Sequence, residues 1–275
     1  MSEPFLRDDL ARVWGRDGLF QRVENLDGEV YRAVANRRTL RFEAGGRAYF
    51  AKIHQGTGWA EIFKNLATLR LPVIGARNEF EACRHLERCG VAAPTVAAFG
   101  ERGVNPARRF SFIICDALEG RESLEDLTAD WPQTPPPALT KRRLIRAVAS
   151  FARAMHEAGV VHRDFYICHL LACPGDAGDV DLAVIDLHRA QLHGRIPRRW
   201  LRRDLAALLF SVLDLPLTRR DWLRFLEAYR QRPLRDVLRD EASLWRAVHR
   251  RAEKLYRKGQ RKGLVQGRVA PGTQG

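Results

Sequence analysis

Apolar and polar positions change period several times along the chain, and each change marks an element. Phe5, Leu6, Leu10, Val13 and Trp14 recur at roughly helical spacing, which predicts a short amphipathic segment within residues 1–25. From Glu29 the period shortens. Val30, Arg32 and Val34, then Thr39 and Arg41, alternate with neighbours of different polarity, and Tyr49-Phe-Ala-Lys-Ile follows a Gly45-Gly46 turn. This predicts strands over 29–35, 38–44 and 47–54, the last two as a hairpin. Residues 55–76 are less regular; Ile62, Phe63, Leu66, Leu69 and Leu71 predict a short helix that ends at Pro72. Asn78 to Cys89 reads as a helix with Phe80, Cys83 and Leu86 on one face and Gly90 as its stop. Strands are expected at 95–99 and from Phe110 to Cys115.

After the Pro-rich loop that begins at Trp131, a strong helix is expected over 140–158. Leu144, Ile145, Val148, Ala152 and Met155 form its stripe, and Gly159 ends it. Two short apolar runs follow, Leu170-Leu-Ala and Leu182-Ala-Val-Ile, separated by the turn sequence Pro174-Gly-Asp-Ala-Gly. The period is helical again from Asp204 to about Gly259, and 263–275 reads as a disordered tail. There is no internal repeat. The pattern therefore divides the chain into an N-terminal extension (1–28), a strand-rich N-lobe (29–118), a helical C-lobe (119–262) and the tail, with the lobe boundary near Asp116–Gly120.

At 275 residues the chain is long enough to bury a large core without staples. The five cysteines are odd in number and contain no Cys-x-x-Cys pair, which favours reduced thiols over a disulfide framework or a zinc site. The N-terminus carries acids and no apolar run, so it does not read as a signal peptide. The longest apolar stretch, Ala206 to Leu217, contains Asp214 and is too short to span a bilayer. Charge changes the picture most. The net charge is +14, and residues 195–275, with 21 basic and 8 acidic side chains, hold +13 of it. Such asymmetry points to a polyanionic partner or to an Arg-rich solvated helical surface. No aromatic RNA-binding motif or zinc spacing supports a nucleic-acid reader, and no nucleic-acid partner is expected.

The sharpest chemical signal is His162-Arg163-Asp164. His169 follows Asp164 by five residues and Asp186 by twenty-two, at the exit of an apolar strand. Upstream, Lys52 lies near the end of the strand hairpin and Glu79 sits on the next helix, with Glu81 its rival. Alone, each has a bland reading: a solvent-facing strand lysine, an exposed helix carboxylate, a turn aspartate. In this order they match the parts of phosphoryl transfer on a kinase scaffold, which works by in-line positioning and cancellation of phosphate charge.

His162-Arg-Asp-Phe-Tyr-Ile-Cys-His-Leu-Leu and Val184-Ile-Asp-Leu-His-Arg-Ala-Gln closely resemble the lipopolysaccharide core heptose(I) kinase family. So do Arg38-Thr-Leu-Arg-Phe-Glu, Tyr49-Phe-Ala-Lys-Ile-His, Ile62-Phe-Lys-Asn-Leu and Gly75-Ala-Arg-Asn-Glu-Phe-Glu-Ala, and the resemblance covers about residues 20–260. It implies an α+β, two-lobed protein-kinase-like fold, with a small antiparallel β-rich N-lobe and a larger helical C-lobe. It also implies ATP- and Mg²⁺-dependent phosphorylation of a heptose hydroxyl in the lipopolysaccharide inner core. Carried over by position, Asp164 is the catalytic base, with Arg163 beside it in the catalytic motif. Lys52 is the phosphate-binding lysine, Glu79 its ion-pair partner and Asp186 the main Mg²⁺ ligand.

His169 stands where protein kinases usually place a metal-binding Asn. Imidazole is a softer donor than Mg²⁺ prefers, so His169 either neighbours the metal or braces the loop. The Asp116 carbonyl and the Leu118 amide are the candidates for holding adenine at the lobe boundary. The turn at Ala35-Asn-Arg-Arg lacks the usual glycines; either Arg37 or Arg38 supplies charge there, or the loop stands further off. Gly56-Thr57-Gly58 reads as a simple turn. Asp204 opens a helix and is expected to receive catalytic-loop amides or to cap that helix. The basic C-terminal third suits an anionic membrane surface, the phosphorylated saccharide itself or an acidic protein such as an acyl carrier protein. The expected location is the cytoplasm, peripheral at the inner face of the inner membrane. The competing readings are a kinase of this fold with a protein or small-molecule acceptor, and a non-catalytic basic binding module.

Overall fold

A computed structural model describes residues 3–34, 36–56, 58–59, 75–174 and 179–262. The helix expected within 55–76, the Ala35 and Thr57 turn positions, the turn at 175–178 and the tail 263–275 lie outside the described residues. Contacts divide the chain into two compact units, Met1–Glu119 with Asp186–Gln191, and Gly120–Ile185 with Leu192–Gly275.

The first unit runs β1 (Phe5–Leu6), α1 (Asp8–Trp14), α2 (Leu19–Glu24), β2 (Glu29–Val34), β3 (Arg37–Ala44), β4 (Arg47–His54), α3 (Arg77–Arg88), β5 (Val96–Arg102) and β6 (Phe110–Asp116). The strands form one antiparallel sheet in the order β1-β5-β6-β4-β3-β2. Gly45 and Gly46 both take positive φ (57° and 74°), which lets a two-residue turn join β3 to β4 with Ala44 opposite Arg47. Strand alternation then sorts side chains. Leu40, Phe42, Tyr49, Ala51, Ile53, Phe112 and Ile114 share one face, and Leu6, Leu10, Leu19 and Val23 join them in a single core.

The first 25 residues are thus a two-residue strand and two short helices, divided near Gly15 and Gly18, both at positive φ. They are bound into the sheet by pairing with β5 and by this core. Phe20 stands edge-on to Phe112, and a Cβ on Gly100 would meet the Phe112 ring at 2.7 Å, so only glycine fits there. The opposite face carries Lys52, His54, Ser111, Ile113 and Cys115. Helix α3 turns Glu79, Ala82, Cys83 and Leu86 inward, and its N-terminus is anchored by the Ala76 amide donating to Ser111 Oγ.

The second unit runs β7 (Glu122–Ser123), α4 (Leu124–Leu127), α5 (Ala138–Glu157), β8 (Leu170–Pro174), β9 (Val180–Val184), α6 (Arg198–Ser211), α7 (Arg219–Arg230) and α8 (Leu234–Arg261). Its antiparallel sheet has the order β9-β8-β7. Helix α5 packs on α7 and β9, and α6 packs on α8. The expected continuous helical stretch from Asp204 is three helices. It begins six residues earlier, after Pro197, and breaks at Thr218 and Pro233. Proline favours a helix start, and Thr218 with Asp221 forms a reciprocal cap. Gly159, at φ 77°, ends α5 where a Cβ would meet the His193 carbonyl oxygen at 2.1 Å.

Candidate active site

In the first unit, a cationic face meets two carboxylates. Pairing puts Thr39 opposite Lys52 and Arg37 opposite His54, so Lys52, His54 and Arg37 share a face. Lys52 Nζ donates to Glu79 Oε1 at 2.6 Å and to Asp186 Oδ1 at 3.1 Å. Helical rotation decides between the two glutamates. Glu79 is 3% exposed, whereas Glu81 pairs with Arg77 and its side chain is 47% exposed.

Asp186 Oδ1 also accepts from His188 Nδ1 at 2.7 Å and lies 3.7 Å from Arg37. Burial pushes the Asp186 carboxyl upward, but His188 and Lys52 outweigh it and hold the group well below the usual carboxylate range. Burial likewise opposes charge on Lys52, and Glu79 with Asp186 overcomes it, so its pKa is raised. Burial, reinforced by Arg37, Lys52 and His188, pushes His54 down to about 3 and keeps it neutral. The choice between the two turn arginines is settled by direction: Arg37 reaches toward Asp186, while Arg38 donates to the Glu24 carbonyl at 2.7 Å at the end of α2.

In the second unit, the His162–Asp164 loop is held from several sides. Buried Asp204 receives the His162 amide at 2.6 Å and the Arg163 amide at 2.8 Å. Arg163 takes φ 73°, a left-handed conformation this clamp sustains. His162 Nε2 donates to the Ile185 carbonyl at 2.9 Å, and its Nδ1 accepts from the Asp164 amide at 3.3 Å, which fixes one neutral tautomer. His169 Nδ1 donates to the Asp164 carbonyl at 2.7 Å, and the two imidazoles stack with centroids 5.5 Å apart. His169 therefore braces the backbone of Asp164. Ile185, which accepts from His162, immediately precedes Asp186 in the chain.

At the expected hinge, the Asp116 amide donates to Thr95, the Ala117 amide donates to Ala48, and the Asp116 carboxylate is bound by Arg7 at 2.7 and 2.8 Å. Leu118 is half-buried, and its amide has no hydrogen-bond partner among the described residues. The second unit also contains an apolar cavity of about 600 Å³ between helices, lined by Leu144, Ile145, Val148, Leu208, Trp222 and Phe225 among others. No motif announces it, because its walls come from distant core stripes.

The family model described as "Lipopolysaccharide kinase (Kdo/WaaP) family" matches residues 21–229. The chain belongs to that family. It is 53% identical over 266 residues to the lipopolysaccharide core heptose(I) kinase WaaP of Pseudomonas aeruginosa, an alignment covering 96% of this chain and 97% of that one. It is 46% identical over 262 residues to the protein of the same name from Escherichia coli, covering 94% and 99%. A solved structure described as WaaP in complex with acyl carrier protein superposes with a TM-score of 0.80 at 48% identity, covering 93% of this chain and all of that one. The α+β, protein-kinase-like fold expected from the sequence is thus the fold of the chain. As a kinase of this family it is a phosphotransferase that uses ATP. Among the described residues, no helix is long and apolar enough to cross a membrane.

Proposed function

We propose that this chain transfers the γ-phosphoryl group of ATP to a heptose hydroxyl of the lipopolysaccharide inner core. The observation that carries this reading is Lys52 held between Glu79 and Asp186, together with an Asp164 loop held by Asp204, His162 and His169. Lys52 and Arg37 offset the charge of the phosphates. Asp164 orients the acceptor hydroxyl and takes its proton as the new phosphorus–oxygen bond forms. The bond to the β-phosphate oxygen breaks, and ADP carries that electron pair away. Arg163 serves this step by holding the backbone turn that aims Asp164. Adenine is assigned to the Asp116 carbonyl and the Leu118 amide, and the Leu118 amide, unpartnered among the described residues, supports that reading.

An ionised, oxygen-donating Asp186 fits Mg²⁺, and no group of three or more His, Cys, Asp or Glu side chains forms a metal cage among the described residues. Mg²⁺ commonly takes one or two carboxylates and completes its shell with phosphates and water. Asp186 would hold the ion, which supplies neutralisation of phosphate charge when bound. His169 serves the loop first, because its Nδ1 is committed to the Asp164 carbonyl.

For partners, the solved relative's acyl carrier protein supports an acidic protein partner for this chain. An acyl chain delivered by such a carrier matches the apolar chemistry and volume of the helical cavity. An enzyme of this kind would work in the cytoplasm against the inner membrane, where its lipid-anchored acceptor lies. Mass spectrometry of core saccharide from cells with and without the gene tests the reading. Loss of one phosphate from a heptose on deletion is expected; an unchanged phosphate pattern would overturn it.

A further inference from the structure

One charged cluster lies outside the phosphate-handling residues. Trp200, in the first turn of α6, has three guanidinium groups around its ring. Arg203 lies 4.5 Å from the ring centroid, Arg163 5.3 Å and Arg199 5.9 Å. Arg251, on α8, lies close enough to Arg202 and Arg203 that burial and their repulsion push its pKa down. The Nε atoms of Arg202 and Arg251 are buried without a hydrogen-bond partner.

Four of these arginines lack counter-charge. Other guanidiniums of the chain sit on carboxylates, Arg77 on Glu101, Arg230 on Glu241 and Arg232 on Asp240 among them. Among the described residues, Arg199, Arg202, Arg203 and Arg251 have no carboxylate within 4.0 Å. The neighbouring acid, Asp204, is committed to the His162 and Arg163 amides. Gathering like charges this way costs stability unless an anion joins them. A guanidinium stacked on an indole loses rotamer freedom, yet its in-plane N–H groups still point outward for bidentate contact with carboxylate or phosphate.

We propose that Arg163, Arg199 and Arg203, gathered around Trp200, form with Arg251 the subsite that takes the anionic groups of the acceptor. Those groups are the carboxylates or phosphates on sugars neighbouring the heptose to be phosphorylated. The inference rests on the function proposed above and deepens it. Two features favour a discrete saccharide over a diffuse membrane field. Arg163, Arg199 and Arg203 lie against one indole ring and Arg251 is partly buried, and Arg163 immediately precedes Asp164, so the cluster is covalently tied to the reacting position. Trp200 is a positioning residue in this scheme.

The test is calorimetric titration of the full chain with deacylated inner-core saccharide. R199Q/R203Q should weaken that binding at least about tenfold, from two lost charge-assisted contacts. Its ATP affinity should stay within about threefold, since nucleotide charge is met by Lys52 and Arg37. Methyl esterification and dephosphorylation of the saccharide, applied separately, identify which anion is read. The effective treatment should lower wild-type affinity to that of the variant. W200F should retain more binding than W200A, with thermal melting checked for both. Equal saccharide affinity in wild type and R199Q/R203Q would overturn the proposal. So would a loss confined to phosphatidylglycerol vesicles, which would make the cluster a membrane contact. Charge-dependent binding without phosphate transfer would overturn the proposed function and leave the subsite standing; transfer indifferent to these arginines would do the reverse.

Discussion

Asp204→Asn is the substitution whose consequences follow most directly from the geometry. Asp204 is 0% exposed, and its two carboxylate oxygens each accept one catalytic-loop amide, His162 at 2.6 Å and Arg163 at 2.8 Å. Asparagine keeps one accepting oxygen and puts an NH₂ group against the other amide. One charge-assisted bond is lost, the other becomes neutral, and a buried N–H is left facing a donor. Bonds to charged groups contribute about 1.5–3 kcal/mol each, and a stranded buried donor costs about 1–3 kcal/mol, so a loss of about 3 kcal/mol is expected. That is a large fraction of a typical domain's stability of about 5–15 kcal/mol.

The clamp also sustains Arg163 at positive φ, so the surviving folded fraction should lose its aim at Asp164. A misplacement of about 1 Å costs on the order of 10²-fold in rate. Urea unfolding, amide exchange at His162 and Arg163, and phosphoryl transfer should be measured on Asp204→Asn beside Asp164→Asn. The first variant should lose stability, amide protection and activity together; the second should lose activity with stability within about 0.5 kcal/mol. Wild-type stability and protection in Asp204→Asn would refute the clamp.

Three further expectations follow. Lys52→Met and Asp186→Asn should both damage ATP use, but raised Mg²⁺ should partly restore only Asp186→Asn in a steady-state titration; equal rescue would contradict the separate roles. His169→Asn should keep much of the activity that His169→Ala loses, because an amide N–H can donate to the Asp164 carbonyl as Nδ1 does. Measuring both variants across Mg²⁺ shows whether the asparagine oxygen also changes metal dependence. Asp221 holds its pKa down to about 2, because burial, which raises it, is outweighed by its bonds to Thr218 and Lys141. A depressed folded-state pKa gives stability that is present above the unfolded value near 4 and is lost as pH falls toward 2. Acid unfolding of Asp221→Asn should lack that component, and an unchanged acid profile would count against it.

Legibility varied with the range of the interaction. The hairpin bearing Lys52 was readable because alternation and Gly45-Gly46 are local signals, as was α5 from its stripe and stop. Lys52, Asp164 and Asp186 were singled out by order and spacing, and Lys52 does meet Asp186 at 3.1 Å. Glu79 was expected ahead of its rival Glu81, and the side of α3 that meets the sheet gives Lys52 that partner. The role of Arg37 could not be separated from that of Arg38, since adjacent strand residues face opposite ways and the pattern did not say which face held the phosphate-handling groups. The pairing of Phe5–Leu6 with Ala98–Phe99 joins residues some ninety positions apart and has no local signature. The charge excess after Arg195 was plain as a count, but that Arg163 of the His162–Asp164 loop joins Arg199 and Arg203 at Trp200 is a tertiary contact with no local signature. The short helix expected through Ile62, Phe63, Leu66, Leu69 and Leu71 falls outside the described residues.

In the proposed reaction, Asp164 and Asp186 serve phosphoryl transfer to a saccharide. Its most direct test incubates purified chain with ATP, Mg²⁺ and inner-core saccharide and follows the saccharide by mass spectrometry. One added phosphate on a heptose is expected, with transfer reduced at least about 10²-fold in Asp164→Asn while nucleotide binding persists. No phosphate gain with wild type, or undiminished transfer in Asp164→Asn, would contradict it.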